Sequence, residues 1–189
     1  MRDVRQRQRV VLWISACGLL MLVLTPWAMA AAAADVERAV RAFYNVYLKL
    51  GAGGVPSRAQ QAQLAPLISP ALASLLRDAR RAEETHLRRT KNQEPPRIEG
   101  DLFTSLFEGA HAYTIAGCTP SAATAECVVT LTYVDPRDAS KYTWTDRVLC
   151  VRARGRWVVN DIVFGGGWDF ARQGRLTDTL RAVASDRAP

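Results

Sequence analysis

The sequence predicts an α+β domain in which N-terminal helices pack on a curved antiparallel sheet and a short helix closes the chain. Three observations carry this. Helix-type spacing of apolar residues dominates up to Pro95-Pro96, and period-two alternation takes over beyond it. Strands and helices do not alternate in the order that builds parallel nucleotide-binding sheets. Finally, 49% of the 189 residues are apolar, enough for a core and too many for a disordered chain.

The first thirty residues read as an export signal rather than as part of that domain. Arg2, Arg5, Arg7 and Arg9 form a positive head, Val10 to Leu24 is an apolar run, and Ala28-Met29-Ala30 offers the small residues of a cleavage site. The expectation is a signal peptide over 1–30 and a single periplasmic domain over 31–189. A competing reading keeps the segment as an inner-membrane anchor, because the run extended through Trp27 to Ala34 approaches the roughly 20 residues of a spanning helix. Membrane contact is expected only in that case. Ile14-Ser15-Ala16-Cys17 has the outline of a lipoprotein acylation motif, but only Val10 to Trp13 would precede it as an apolar core. Losing four Arg and one Asp with residues 1–30 takes the formal charge from +7 to +4. That charge favours solubility, and export sets nucleic acid aside as a partner.

The helices follow from caps and stripes. Asp35 is placed to cap a first helix whose apolar stripe is Val36, Val40, Phe43, Tyr47 and Leu50, with Gly51 ending it. Ser57 and Gln60 have the form of a capping box that starts a short helix ending near Pro66. Ser69-Pro70 supplies an N-cap followed by proline at the first helical position, with Leu72, Leu75, Leu76 and Ala79 on the buried side. The far end of that helix, RDARRAEETHLRRTKNQ, interleaves Arg77, Arg80, Arg81, Arg88 and Arg89 with Asp78, Glu83 and Glu84, the pattern of a solvated face with local ion pairs. His86 is expected on that exposed face.

The strands are HAYTIAGC, ECVVTLTYV, a segment from about Tyr142 to Arg152, and Arg156 to Phe164. Asp135-Pro136-Arg137-Asp138 and Arg154-Gly155 mark turns between them. Three cysteines lie beyond the signal segment. Cys118 and Cys127 sit at the inner ends of two successive strands, where facing residues of a hairpin reach disulfide distance, so that pairing is expected; Cys118 with Cys150 and Cys127 with Cys150 are the alternatives. Cys150 otherwise reads as a small buried hydrophobe within a strand. A zinc site from the three cysteines and His111 lacks the short paired ligand spacing of structural zinc modules, so no metal is expected.

Tests for chemistry return little. There is no G-x-S-x-G nucleophile elbow, and the glycines at 165 to 167 are followed by neither a lysine with Ser or Thr nor a G-x-G-x-x-G spacing. No cofactor is expected. Glu99, Asp101 and Glu108 in IEGDLFTSLFEG provide carboxylates for acid–base work or a hard cation, against a structural role in which Asp101 or Ser105 caps a turn anchored by Leu102, Phe103, Leu106 and Phe107. The three glycines are read as a sharp turn that lets Trp168 and Phe170 pack, ahead of a last helix with Leu176, Leu180 and Val183 facing inward.

FYNVYL (Phe43 to Leu48), GDLFTSLFEG (Gly100 to Gly109) and WVVNDIVFGGGWDF (Trp157 to Phe170), followed by the Leu-bearing helix, resemble an uncharacterised family of bacterial exported domains, some of them lipoproteins. That family is similar in shape to the nuclear-transport-factor-2-like, or cystatin-like, cone. The resemblance runs from about Phe43 to Val183. It implies a fold and a location rather than a reaction, and a mouth rimmed or lined by Asp101, Trp144, Asp146, Asp161 and Trp168. The function expected is a non-catalytic domain binding a small ligand or an envelope protein. The alternatives are an immunity or inhibitor protein against a toxin or cell-wall hydrolase, and an envelope enzyme using the acidic cluster near Asp101.

Overall fold

The computed structural model describes residues 26–51 and 53–185. The positive head, the apolar run from Val10 to Leu24 and Cys17 lie outside the described residues. Among the described residues four helices, α1 (Pro26–Leu50), α2 (Arg58–Leu64), α3 (Pro70–Arg89) and α4 (Leu176–Ala184), accompany four strands, β1 (Ala112–Pro120), β2 (Thr124–Val134), β3 (Lys141–Ala153) and β4 (Arg156–Val163). The strands form one antiparallel sheet in the order β1-β2-β3-β4. Among the described residues no helix is long and apolar enough to cross a membrane.

Alternation along the strands decides which face is buried. Ala125, Cys127, Val129 and Leu131 of β2, with Trp144, Asp146, Val148 and Cys150 of β3, point to the helix-covered face. Glu126 and Val128 point away, and Val128 is exposed. Against the buried face α1 lays Val36, Val40, Phe43, Tyr44 and Tyr47, while Leu176, Leu180 and Val183 of α4 fill the flank beside β4, all of them buried. Register shifts at Ile115/Gly117 and at Leu149/Cys150 bend the sheet around this layer. Arg154 and Gly155, at φ 51° and 79°, make the two-residue turn with both central residues left-handed that matches strand twist, joining β3 to β4. The outer edge of β4 is closed by Ser69 N donating to Val159 O (2.7 Å) and Val159 N donating to Leu67 O (3.0 Å).

Several local expectations hold. Ser57 and Gln60 form the reciprocal capping box, Ser69 caps α3 ahead of Pro70, and Cys118 and Cys127 are directly opposed across the β1–β2 hairpin and disulfide-bonded, with Cα atoms 4.1 Å apart. That bond removes both sulfurs from any zinc set. Cys150 is free and buried.

Others need correction. Asp35 does not cap α1: the alanine run has the highest helix propensity available, so the helix is already formed ahead of Asp35, from Pro26, the first described residue, through the expected cleavage residues, and Asp35 pairs with Arg38 one turn on. His86 is only 8% exposed, because the 94–97 segment folds back over α3 and Pro95 O accepts a hydrogen bond from Nε2 (3.0 Å). Glu83 turns inward for the same reason and accepts from Arg97 N (3.0 Å). The rest of the charged face is as expected, with Arg81 paired to Asp78, and Arg58 and Arg80 both on Glu84.

Candidate functional site

The loops 101–110 and 165–175 meet at the end of the sheet where α1 terminates. Arg172 N donates to Ser105 O (2.9 Å), and the Arg172 guanidinium donates to Asp101 O (2.9 Å). Four of the expected site residues are buried around this junction or beside it, at 2% exposure for Asp101, 6% for Trp144, 0% for Asp146 and 3% for Asp161; Trp168 is 37% exposed.

Asp146 is the hub. Ser105 Oγ and Gly165 N (2.9 Å) donate to Oδ1, while Ser105 N (3.1 Å) and Trp144 Nε1 (3.3 Å) donate to Oδ2. Gly166 N in turn donates to Ser105 Oγ (3.0 Å). The glycine loop therefore does cradle an anion, and the anion is the protein's own buried carboxylate. Gly165 and Gly166 are present for close approach, not for a left-handed backbone: a Cβ on Gly165 would lie 2.2 Å from Thr145 O, and one on Gly166 2.6 Å from the Trp168 ring. Burial raises the Asp146 pKa above the usual carboxylate range, opposed by these donors.

Asp101 accepts from Tyr47 Oη (2.8 Å) and Phe103 N (2.7 Å), and burial pushes its pKa up to about 6 against those hydrogen bonds. The structural role for this carboxyl is thus realised, while Glu99 and Glu108 are exposed. Phe107 is not a core anchor: it covers Gly100 from outside and is 57% exposed. Asp161, on β4 beside the junction, caps α4, accepting from Thr177 N (3.0 Å) and Thr177 Oγ1 (2.9 Å) where Arg175 offers no side-chain cap. Asp169 is exposed, and Phe170, expected to anchor the joint, stands fully exposed at φ 71°. Its place is taken by Phe164 and Ala171, which are buried.

Trp144 and Trp168 do meet, edge to face with ring centroids 5.8 Å apart. They form one wall of a groove of about 360 Å³ that also takes in Leu106, Glu108, Tyr133, Asp135, Arg137, Tyr142 and Thr143. Tyr133 and Tyr142 are cross-strand partners with rings 6.3 Å apart. Tyr142 shares its face with Trp144, two residues along β3, so alternation alone placed them together and was the signal available in the sequence. Arg137 grips Asp135 through Nε (2.9 Å) and Nη2 (2.6 Å), which pulls the Asp135 pKa down to about 2. Two wider clefts, of about 490 and 520 Å³, run along the charged face of α3, where Arg81 is bound to Asp78 and Arg58 and Arg80 to Glu84. Among the described residues no three His, Cys, Asp or Glu side chains gather as a metal set.

No family model, curated protein or solved structure matches the chain.

Proposed function

We propose that this is an exported, non-catalytic binding domain that holds a small ligand in the aromatic groove between β2, β3 and the two loops. The observation that carries the reading is the four aromatic rings that line this groove, two of them exposed. Among the described residues seven large hydrophobic side chains are exposed; Tyr142 and Trp168 line the groove, and Phe107 and Phe170 line a second cleft with Ser105 and Arg172. Exposed aromatic rings lining a groove on a folded domain mark a candidate contact site. Export is supported by the signal-like residues 1–30 and by a disulfide, which persists in oxidising compartments. The cone-like family resemblance stands as part of this proposal, since such cones bind at their open end. The hydrogen bonds that Asp101 accepts from Tyr47 and Phe103 N support a structural role for it over the catalytic one.

The test is native mass spectrometry of the protein purified from periplasmic extract. A retained non-covalent mass is expected in the wild type and not in a Tyr142→Ala, Trp168→Ala double variant. A wild-type protein that carries nothing and yields the same spectrum as the double variant would overturn the reading.

A second reading, inhibition of an envelope enzyme or toxin, is favoured by Phe170 specifically. A fully exposed aromatic ring at φ 71° is a strained way to leave a large apolar side chain in water, and such strain is retained where it serves a contact. Phe170→Ala would then abolish capture of the protein partner while leaving small-ligand binding in the groove intact.

A further inference from the structure

We propose that the groove binds a small organic cation carrying apolar substituents, of the alkylated-ammonium class, seated against the rings of Tyr142 and Trp168 with Glu108 as its counter-ion. The inference rests on the binding-domain reading above and supplies the chemistry of the ligand.

Four aromatic rings line the groove, Tyr133 and Tyr142 contributed by adjacent strands and Trp144 and Trp168 by β3 and the glycine loop. Tyr142 and Trp168 present 51% and 37% of their surface, so ring surface remains for a ligand. Aromatic faces attract cations through the ring quadrupole, most strongly when the cation is poorly hydrated and lies within about 6 Å of the ring centre. Alkyl groups on the nitrogen reduce its hydration and add apolar contact, which a wall of this composition rewards.

Charge fixes the sign of the ligand. Three ionisable side chains line the groove besides the tyrosines: Glu108, Asp135 and Arg137. Arg137 and Asp135 neutralise each other through their two-pronged hydrogen bond. Glu108 is in no ion pair with a described residue and leaves the groove with one uncompensated negative charge. Its reach is felt at the wall: burial raises the Tyr133 pKa first, and the carboxylates of Asp135 and Glu108 raise it further. An anionic ligand would meet that field at a cost, and a neutral one would gain nothing from it. The volume of about 360 Å³ lies near the lower end of the roughly 300–1,000 Å³ typical of small-molecule pockets, as a compact ligand requires.

The experiment titrates the purified protein with choline and with its uncharged tert-butyl isostere, in which carbon replaces nitrogen. Binding is followed by tryptophan fluorescence and by the NMR shift of the Trp168 indole. Saturable binding of choline at least tenfold tighter than the isostere is expected. Glu108→Gln, an exposed and near-isosteric change, should weaken choline at least threefold and leave the isostere unaffected; Trp168→Ala should weaken both. Equal affinity for the two probes, or an unchanged choline affinity in Glu108→Gln, overturns the cation inference while leaving the binding-domain reading standing. No saturable response to choline overturns it as well, and a retained mass in the native spectrum then shows that only the ligand class was wrong.

Discussion

The Asp101 carboxyl makes the stability of this protein depend on pH in a direction opposite to that of a carboxylate held by a cation. Folding raises its pKa from 3.8 to about 6, because burial between α1 and the 101–110 loop penalises the charge more than Tyr47 and Phe103 N repay it. Between those two values the folded state holds more protons than the unfolded chain. The contribution of Asp101 to stability is therefore fully present below about pH 4 and is lost as pH rises through about 6. A shift of about two units corresponds to roughly 3 kcal/mol, or about 6–12 °C in melting temperature for a domain of this size. Asp146, whose pKa burial also raises, acts in the same direction. The perturbation is Asp101→Asn, which keeps an oxygen to accept from Phe103 N and has no proton to lose. Urea unfolding at pH 4, 5, 6 and 7 should give the variant a profile flatter than that of the wild type by roughly 2 kcal/mol across the range. Parallel profiles for the two proteins would refute the argument that burial dominates at Asp101.

Other consequences follow from the same contacts. Gly165→Ala forces a Cβ to within 2.2 Å of Thr145 O, so chemical denaturation should show a loss of about 2 kcal/mol or more; a neutral result would mean that the glycine loop can move away from β3. Asp161→Ala removes the side-chain cap of α4 and orphans Thr177 N, and should cost about 1–3 kcal/mol in the same assay, with hydrogen exchange accelerating first at Thr177 to Thr179. Breaking the Cys118–Cys127 bond by a double serine substitution frees a loop with a sequence separation of 9 and should destabilise by about 2.5 kcal/mol, read as a lower melting temperature under non-reducing conditions. Cys150, its pKa pushed up to about 12 by burial, should resist alkylation in the native protein and react once urea unfolds it.

Much of the fold was legible in the chain because its signals are local. Ser57 and Gln60, Ser69 and Pro70, and the inward stripe of α4 each act within one or two helical turns, and the alternation in β2 and β3 needs no knowledge of any partner. The disulfide was legible for the same reason, since hairpin register brings its two ends together. The first helix was misjudged locally as well: Asp35 is a good cap, but five alanines ahead of it propagate a helix at less cost than a cap saves.

The site was legible only in its parts. Asp101, Trp144, Asp146, Asp161 and Trp168 all lie in or beside the loops and strands that build this end of the domain, yet their roles differ in ways no periodicity encodes. Tyr133, Tyr142 and Arg137 joined the groove without having been singled out, and Phe107 and Phe170 left the core for the surface.

By itself, then, the sequence determined the later helices, the strands and the disulfide, because propensity, capping and period-two patterning act between near neighbours. Tertiary structure decided the fate of each buried charge. Asp146 meets Ser105 across 41 positions and Gly165 across 19, and Asp101 meets Tyr47 across 54. A carboxylate taken out of water must find donors wherever the folded chain places them, so whether it reads as a site or as a strut is settled only when those distant segments come together.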